Sequence, residues 1–534
     1  MAHRVDPIEL ELFNHRFSAI TEEMGLVLCK SGFSPNIKER RDFSCALLDR
    51  CGELVAHAAH IPVHLGSTSI SVRSAIAKRP MRRGDVVVVN DPFAGGTHLP
   101  DITVVAPVFL AASRQPFAYV ADRAHHADIG GMSPGSMPLA TEIFQEGLRL
   151  PPVRLVAGGE MQPDVFDVFL ANTRVPEERE GDLMAQIAAL RVGAARVEDM
   201  AHRFGTLNVQ RAMDALKEYA ARLMGRTLAA LRPGSYHATD LLDDDGFETR
   251  GIRLAVTVTL RGGRARVDFS GSAPQVTGPL NANLAVTRSA VFYVFRSLAP
   301  ATIPANEGLM RPIDIRAPAG TVVNALPPAA VAGGNVETSQ RIVDVLLRAL
   351  ARAAPERVPA ASCGSMNNVA VGGFDPHRRQ AFSYYETIGG GAGASQQREG
   401  ASCLHTHMTN TLNTPIEGLE AYYPLRVTAY GRRWGSGGHG LRRGGDGIVR
   451  EMEFLCPARV TVLSERRRFS PYGLSGGRDG RRGRNRTGIG HENAWQPLAG
   501  KASFDVRSGD RLRIETAGGG GWGRARRARS RRGR

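Results

Sequence analysis

Three short segments of the chain combine metal-type ligands with tight turns. Asn90-Asp91-Pro92-Phe93-Ala94-Gly95-Gly96-Thr97-His98-Leu99-Pro100-Asp101 follows the apolar run Val86–Val89, and its glycine pair lets the chain fold back so that His98 and Asp101 sit close together. Arg123-Ala124-His125-His126-Ala127-Asp128-Ile129-Gly130-Gly131 lies at the end of a predicted strand. Neighbouring residues of a strand point to opposite faces, so only one of His125 and His126 can meet the first segment. The third segment, Ile37-Lys38-Glu39-Arg40-Arg41-Asp42, stands just before another predicted strand. Mixed imidazole and carboxylate ligands suit zinc, manganese or iron, not calcium or a thiolate site. With a coordination position left to water, such a metal acidifies water or polarises a carbonyl. The competing reading is that these histidines cap turns while the carboxylates pair with Arg40, Arg41 or Arg123. The spacing alone decides neither, because no H-E-x-x-H pattern is present.

A fourth region joins Tyr384-Tyr385-Glu386-Thr387-Ile388-Gly389-Gly390-Gly391-Ala392-Gly393-Ala394 to His405-Thr406-His407-Met408-Thr409-Asn410-Thr411. It fits neither a dinucleotide fingerprint in a βαβ unit nor a phosphate-binding loop ending in Gly-Lys-Ser/Thr. The glycines read as a flat loop that brings backbone N–H groups near a polar substrate. Glu386, with His405 and His407 on one face of an extended piece, reads as a substrate wall, and turn-capping histidines are the alternative.

The elements that must hold these segments give a mixed α+β, multi-domain and loop-rich chain. Asp6 caps a helix with Pro7 at its first position, and Phe13, Phe17, Ile20, Met24 and Val27 recur at helical spacing until Ser31-Gly32 stops it. Strands are expected at 43–48, 53–56, 85–89, 102–110 and 117–123, and helices over 163–224. This predicts an N-terminal α/β metal-site domain over 1–225 and a small β-rich segment over 226–275. A central α/β substrate domain over 276–440 contains helices at 281–297 and 336–351, the second capped by Asn335. A β-rich region over 441–523 and a disordered basic tail over 524–534 complete the division.

Composition narrows the function. The 534 residues are 42% hydrophobic and carry a formal net charge of +16. Residues 426–534 hold 26 of the basic side chains against 9 acidic ones, which leaves the remainder near neutrality. The arginine runs lack interleaved aromatic residues or a reading helix, which argues against nucleic-acid binding. Six scattered cysteines without a C-x-x-C pair, no apolar run long enough to span a membrane and no signal-peptide core point to the cytoplasm.

Together, Asn90–Asp101, Ala124–Gly131, Thr141-Glu142-Ile143-Phe144-Gln145-Glu146-Gly147, Val331-Ala332-Gly333-Gly334-Asn335-Val336-Glu337-Thr338-Ser339-Gln340, His405–Thr411 and Gly518-Gly519-Gly520-Gly521-Trp522-Gly523 resemble the hydantoinase B/oxoprolinase family, in its order and over about residues 5–523. The resemblance implies the B subunit of an ATP-dependent hydantoinase or 5-oxoprolinase. It would form a hetero-oligomer with an A-type subunit that spends ATP to phosphorylate the carbonyl oxygen of a cyclic amide. It also implies a divalent transition metal held by Glu39, His98, Asp101 and His125, with Asp128 or His126 as general base. A ketone carboxylase subunit and a non-catalytic scaffold are the other readings.

Overall fold

The computed structural model describes residues 6–58, 60–110, 113–488 and 494–525. Most of the expected basic tail, residues 526–534, lies outside them. Helix α1 (Pro7–Ser31) starts where Asp6 Oδ1 accepts the Ile8 N–H at 3.2 Å and buries Phe13, Phe17, Ile20, Met24 and Leu28. After a short turn, α2 (Pro35–Lys38), the chain enters a seven-stranded antiparallel sheet. Its strands are β1 (Phe43–Asp49), β2 (Leu54–His57), β3 (Val86–Val89), β4 (Asp101–Val108), β5 (Ala118–His125), β6 (Val153–Ala157) and β7 (Glu160–Met161). Their spatial order is β2-β1-β5-β4-β3-β6-β7.

This sheet is covered on both faces, so β1, β4 and β5 are buried along their whole length, polar residues included. Cys45, Leu47, Ile102, Val104 and Val120 meet α1 and the long helices α4 (Pro163–Ala171), α5 (Pro176–Phe204) and α6 (Thr206–Ala229). The alternate residues Ala46, Leu48, Val105, Tyr119 and Ala121 meet Val72 and Ala75 of α3 (Thr68–Lys78).

A second sheet orders β11 (Ile313–Arg316), β10 (Arg264–Asp268), β9 (Arg250–Arg261) and β8 (Gly234–Asp244), with only the β10–β11 pair parallel. It shares a core with α7 (Leu284–Leu298) and α8 (Ser339–Leu350). The expected continuous helix at 336–351 instead begins with a π-helical turn over Gly334–Thr338, and Asn335 lies inside that turn. Two further sheets share a third core. One orders β13 (Gln380–Glu386), β12 (Asn368–Asp375), β16 (Ala458–Leu463) and β19 (Lys501–Val506). The other orders β14 (Leu425–Arg433), β15 (Gly447–Phe454), β20 (Arg511–Glu515), β17 (Arg484–Gly488) and β18 (Gln496–Leu498). Their hydrogen bonding therefore joins residues on both sides of position 440.

The glycine-rich segments form a block beside these sheets and do not open toward a ligand. Gly391 N–H bonds Ala517 O (3.1 Å), Gly438 N–H bonds Gly519 O (2.8 Å), Gly519 N–H bonds Gly445 O (2.9 Å) and Gly445 N–H bonds Ala392 O (2.9 Å). The chains approach so closely that a Cβ on Gly519 would stand 2.0 Å from Ala392 O, and one on Gly444 2.0 Å from Gly519 O. As at the axis of collagen, only glycine fits. The flat substrate loop expected over 389–394 is thus overturned, because the N–H groups of Gly390, Gly391, Ala392 and Ala394 are spent on the carbonyls of Leu404, Ala517, Ala401 and Gly520. No helix among the described residues is long and apolar enough to cross a membrane.

Candidate functional site

The ligand candidates come from the ends of neighbouring strands. Asp101, the first residue of β4, lies directly opposite His125, the last of β5. Asp101, Thr103, Arg123 and His125 share the sheet face that meets α3, where Arg123 donates to Thr103 and to Ser71 (2.8 and 2.7 Å). His98 reaches the same place through a turn in which Asp101 N–H bonds His98 O (3.1 Å). Asn90 fixes that loop by bonding Leu99 O (2.8 Å), and Asn283 fixes it from outside by bonding Thr97 O (2.8 Å).

His98 Nε2 then stands 3.2 Å from His125 Nδ1 and 3.2 Å from Asp101 Oδ1, and His125 Nδ1 is 3.3 Å from that same oxygen. Ligands about 2.0–2.1 Å from one ion lie about 3.0–3.4 Å apart in octahedral or tetrahedral arrangement, so the spacing matches a shared cation. Two ring nitrogens and a carboxylate oxygen this close need at least one proton or a cation among them. These residues are the group among the described residues whose donor atoms could together hold a metal ion, and all three are buried. The other Asp101 oxygen is oriented by the Thr97 hydroxyl and by His64 Nε2 at 3.3 Å, while His64 Nδ1 meets Ser44 Oγ at 2.9 Å. Such outer contacts aim a carboxylate at its ion. Burial opposes ionisation of Asp101, yet His98, His64 and His125 hold its carboxyl well below the usual range. Burial pushes both His125 and His64 below the ordinary imidazole range, which favours their neutral forms.

The structure does not bring Glu39 to this group. The α2 turn leaves Glu39 half-buried at its C-terminal cap, and Arg41 adopts a left-handed conformation (φ 55°) that turns the chain before β1. Asp42, which the sequence reading passed over, occupies the cavity wall beside His98, Asp101 and His125, and its backbone carbonyl accepts the His125 N–H (2.9 Å). Burial raises the Asp42 carboxyl above its ordinary range against the pull of His125 and Arg40.

Strand alternation sends His126 to the opposite face, where its Nε2 meets Gln186 Oε1 at 2.9 Å and its ring packs edge-on against Phe169. Asp128 is equally remote. It pairs with Arg174 (2.9 Å) and accepts the Gly130 and Gly135 N–H groups, so it closes a loop and faces no ligand space. Neither is placed to act as a base in the cavity.

Glu386, His405 and His407 also stand outside the cavity wall. Glu386 forms a fully buried ion pair with Arg450 (3.0 Å), and His405 Nε2 meets Asn413 Oδ1 (3.1 Å), with burial lowering its pKa to about 4. His407 takes a left-handed conformation (φ 57°), so the piece is not an extended strand, and it meets Tyr293 OH (3.3 Å) and Asp344 (3.5 Å). The same motifs supply the wall with different residues, namely Tyr385, Thr387, Met408, Thr409 and Thr411. Tyr385 stacks on His125 (4.5 Å between centroids) and donates to Asn368 Oδ1 at 2.7 Å.

The π-helical turn adds Asn335 and Val336. Gly334 makes that turn possible, since a Cβ there would meet Asn281 O at 1.9 Å, and Glu146 ties its approach by accepting the Val331 and Ala332 N–H groups (2.8 and 2.9 Å). Asn335 is 3% exposed and its Oδ1 has no hydrogen-bond partner. An unsatisfied buried acceptor costs about 1–3 kcal/mol, and π-turns recur at functional sites. The cavity leaves about 20 Å³ for the centre of a water molecule to move in.

Comparison with known proteins agrees with this architecture. A family model described as hydantoinase B/oxoprolinase matches residues 6–525. 5-Oxoprolinase 1 of Arabidopsis thaliana is 41% identical over 97% of this chain, which spans only 42% of that protein. The crystal structure of ATP-dependent caprolactamase from Pseudomonas jessenii superposes with a TM-score of 0.90 at 30% identity, covering 97% of this chain and 91% of that one. Acetone carboxylase shares the fold, with a TM-score of 0.87 at 19% identity over 97% of this chain and 76% of the other.

Proposed function

The chain belongs to the hydantoinase B/oxoprolinase family, and from that premise we propose that it is the ring-opening component of an ATP-dependent cyclic amidohydrolase. The observation that carries this reading is the convergence of His98 Nε2, Asp101 Oδ1 and His125 Nδ1 within 3.2–3.3 Å in a buried cavity. These three residues, with Asp42 beside them, would hold a divalent transition metal. When bound there, the ion supplies Lewis acidity toward a carbonyl or a water.

The chain's own part is to hold the reacting edge of the amide, since the free space of about 20 Å³ admits little more than a water-sized group and the body of the ring lies outside it. Thr97 and His64 orient Asp101, Tyr385 backs the His125 ring, and the apolar Val336, Met366 and Met408 limit water around the reacting amide. A ring amide resists neutral hydrolysis. Phosphorylation of its oxygen by a separate A-type, ATP-binding chain makes the carbon a better electrophile. In the net change two waters are consumed: one oxygen bonds to the carbon as the ring C–N bond breaks, the second hydrolyses the phosphoryl ester, the ring nitrogen takes up the released protons and inorganic phosphate leaves. Two findings support the division of labour: the chain corresponds to only 42% of 5-oxoprolinase 1, and a similar chain occurs in a lactamase named as ATP-dependent.

The test is co-purification with the A-type chain and assay of ring opening. ATP-dependent opening of a five- to seven-membered cyclic amide by the pair, and none by this chain alone, is expected. Ring opening by this chain alone would overturn the division of labour.

A further inference from the structure

Resting on that reading, we infer that Asn335 and Thr409 form the wall that reads the amide edge of the substrate. A ring holds its amide cis, so the N–H and the oxygen lie on one edge, and a wall carrying one acceptor and one donor can take both. Asn335 Oδ1 is the acceptor: it is buried, it has no protein partner, and it belongs to the lining of the same cavity as His98, Asp101 and His125.

The donor is set by a chain of hydroxyls that starts at a buried cation. Arg40, fully buried, donates from Nη2 to Thr387 Oγ1 at 2.9 Å, and a guanidinium can only donate. Thr387 Oγ1 lies 2.9 Å from Thr411 Oγ1, which lies 3.3 Å from Thr409 Oγ1. If the protons ran toward Arg40, the Thr387 hydroxyl hydrogen would be buried without an acceptor. Running away from Arg40, each hydroxyl donates to the next and the last proton, on Thr409, is directed into the cavity. Every step polarises the following one, so the charge of Arg40 is expressed at the cavity wall as a strengthened O–H donor. Thr409 then bonds the oxygen that carries the phosphoryl group, and Asn335 receives the N–H of the activated ring in its protonated form. Neither Asn335 nor Thr409 belongs to the ligand group, so metal content should not depend on them.

The experiment uses this chain with its A-type partner and ATP on 5-oxoproline, hydantoin and caprolactam, each beside the analogue methylated on the cleaved amide nitrogen. The wild type should favour the N–H form by at least about tenfold in kcat/KM. Asn335→Ala should bring that ratio near one, mainly through KM. Thr409→Val should lower kcat by about 100-fold, the scale of a lost oxyanion donor, with Thr409→Ser restoring most of it. Thr387→Val should lower kcat by a smaller factor. Metal per chain is measured for each variant and should match the wild type, as should the melting temperature of Asn335→Ala and Thr409→Val, whereas Thr387→Val, which takes an acceptor from the buried Arg40, should melt lower. Wild-type turnover with unchanged discrimination in Asn335→Ala and unchanged kcat in Thr409→Val would overturn this assignment alone. Failure of the wild-type pair to open any of the rings would overturn the proposed function and this inference with it.

Discussion

The ligand group around Asp101 and the glycine block around Gly519 are both assembled from segments far apart in sequence, and both are buried. They treat their polar atoms in opposite ways. In the glycine block, backbone donors such as those of Gly391, Gly438, Gly445 and Gly519 have carbonyl partners on neighbouring segments. In the cavity, His98 Nε2, Asp101 Oδ1 and His125 Nδ1 crowd within 3.2–3.3 Å of one another, and Asn335 Oδ1 has no partner. A region that satisfies itself is architecture, whereas one that leaves buried groups short of partners is prepared for something that arrives from outside. Glycine content alone does not distinguish them.

Substitutions can break this contrast directly. Asp101→Ala or His98→Ala should lower partner-dependent turnover by roughly a thousandfold, the loss of an electrostatic centre, and should deplete metal measured by elemental analysis. The urea midpoint should stay close to wild type, and a large drop in stability would show that the group is structural. Gly519→Ala should do the reverse. Its Cβ would collide with Ala392 O, costing about 3 kcal/mol or more in urea unfolding, while protein that does fold keeps its metal. His64→Ala tests the aiming of Asp101 and should weaken metal affinity about 10- to 100-fold by competition with a chelator.

The smallest effect concerns the tie between the two halves of the cavity. Burial pushes Glu146 up to about 8, whereas an unfolded glutamate titrates near about 4.3. Between those values the folded chain holds a proton that the unfolded chain has released, so stability falls as pH rises through this window. Glu146→Gln cannot ionise. It should match wild type near pH 4.5 and exceed it at pH 8 by about 1 kcal/mol or more in urea unfolding, and equal pH slopes in the two proteins would refute this.

Much of the site was legible because it follows strand register. The alternation rule separates His125 from His126, and the turn between His98 and Asp101 needs only four residues. What was not legible depended on backbone handedness and on distant partners. Nothing in Glu39-Arg40-Arg41-Asp42 announces that Arg41 turns left-handed and that Asp42 is the residue on the cavity wall. Glu386 and Asp128 look chemically free until Arg450 and Arg174 come to meet them from elsewhere in the chain. The strands of the N-terminal sheet were plain from its valine-rich runs, though not their antiparallel order. The glycine block was not, since its contacts connect residues 391, 444 and 519.

That block also fixes an order of events during synthesis on the ribosome. Gly518–Gly523 supplies the inner partners of Gly438, Ala394 and Arg442, and it leaves the ribosome after every strand it seals. The N-terminal sheet and its ligand group can form while translation continues. The C-terminal sheets must wait with an open seam, so a nascent chain stalled before residue 518 would expose unpaired backbone to chaperones and proteases even though its metal ligands were already in place.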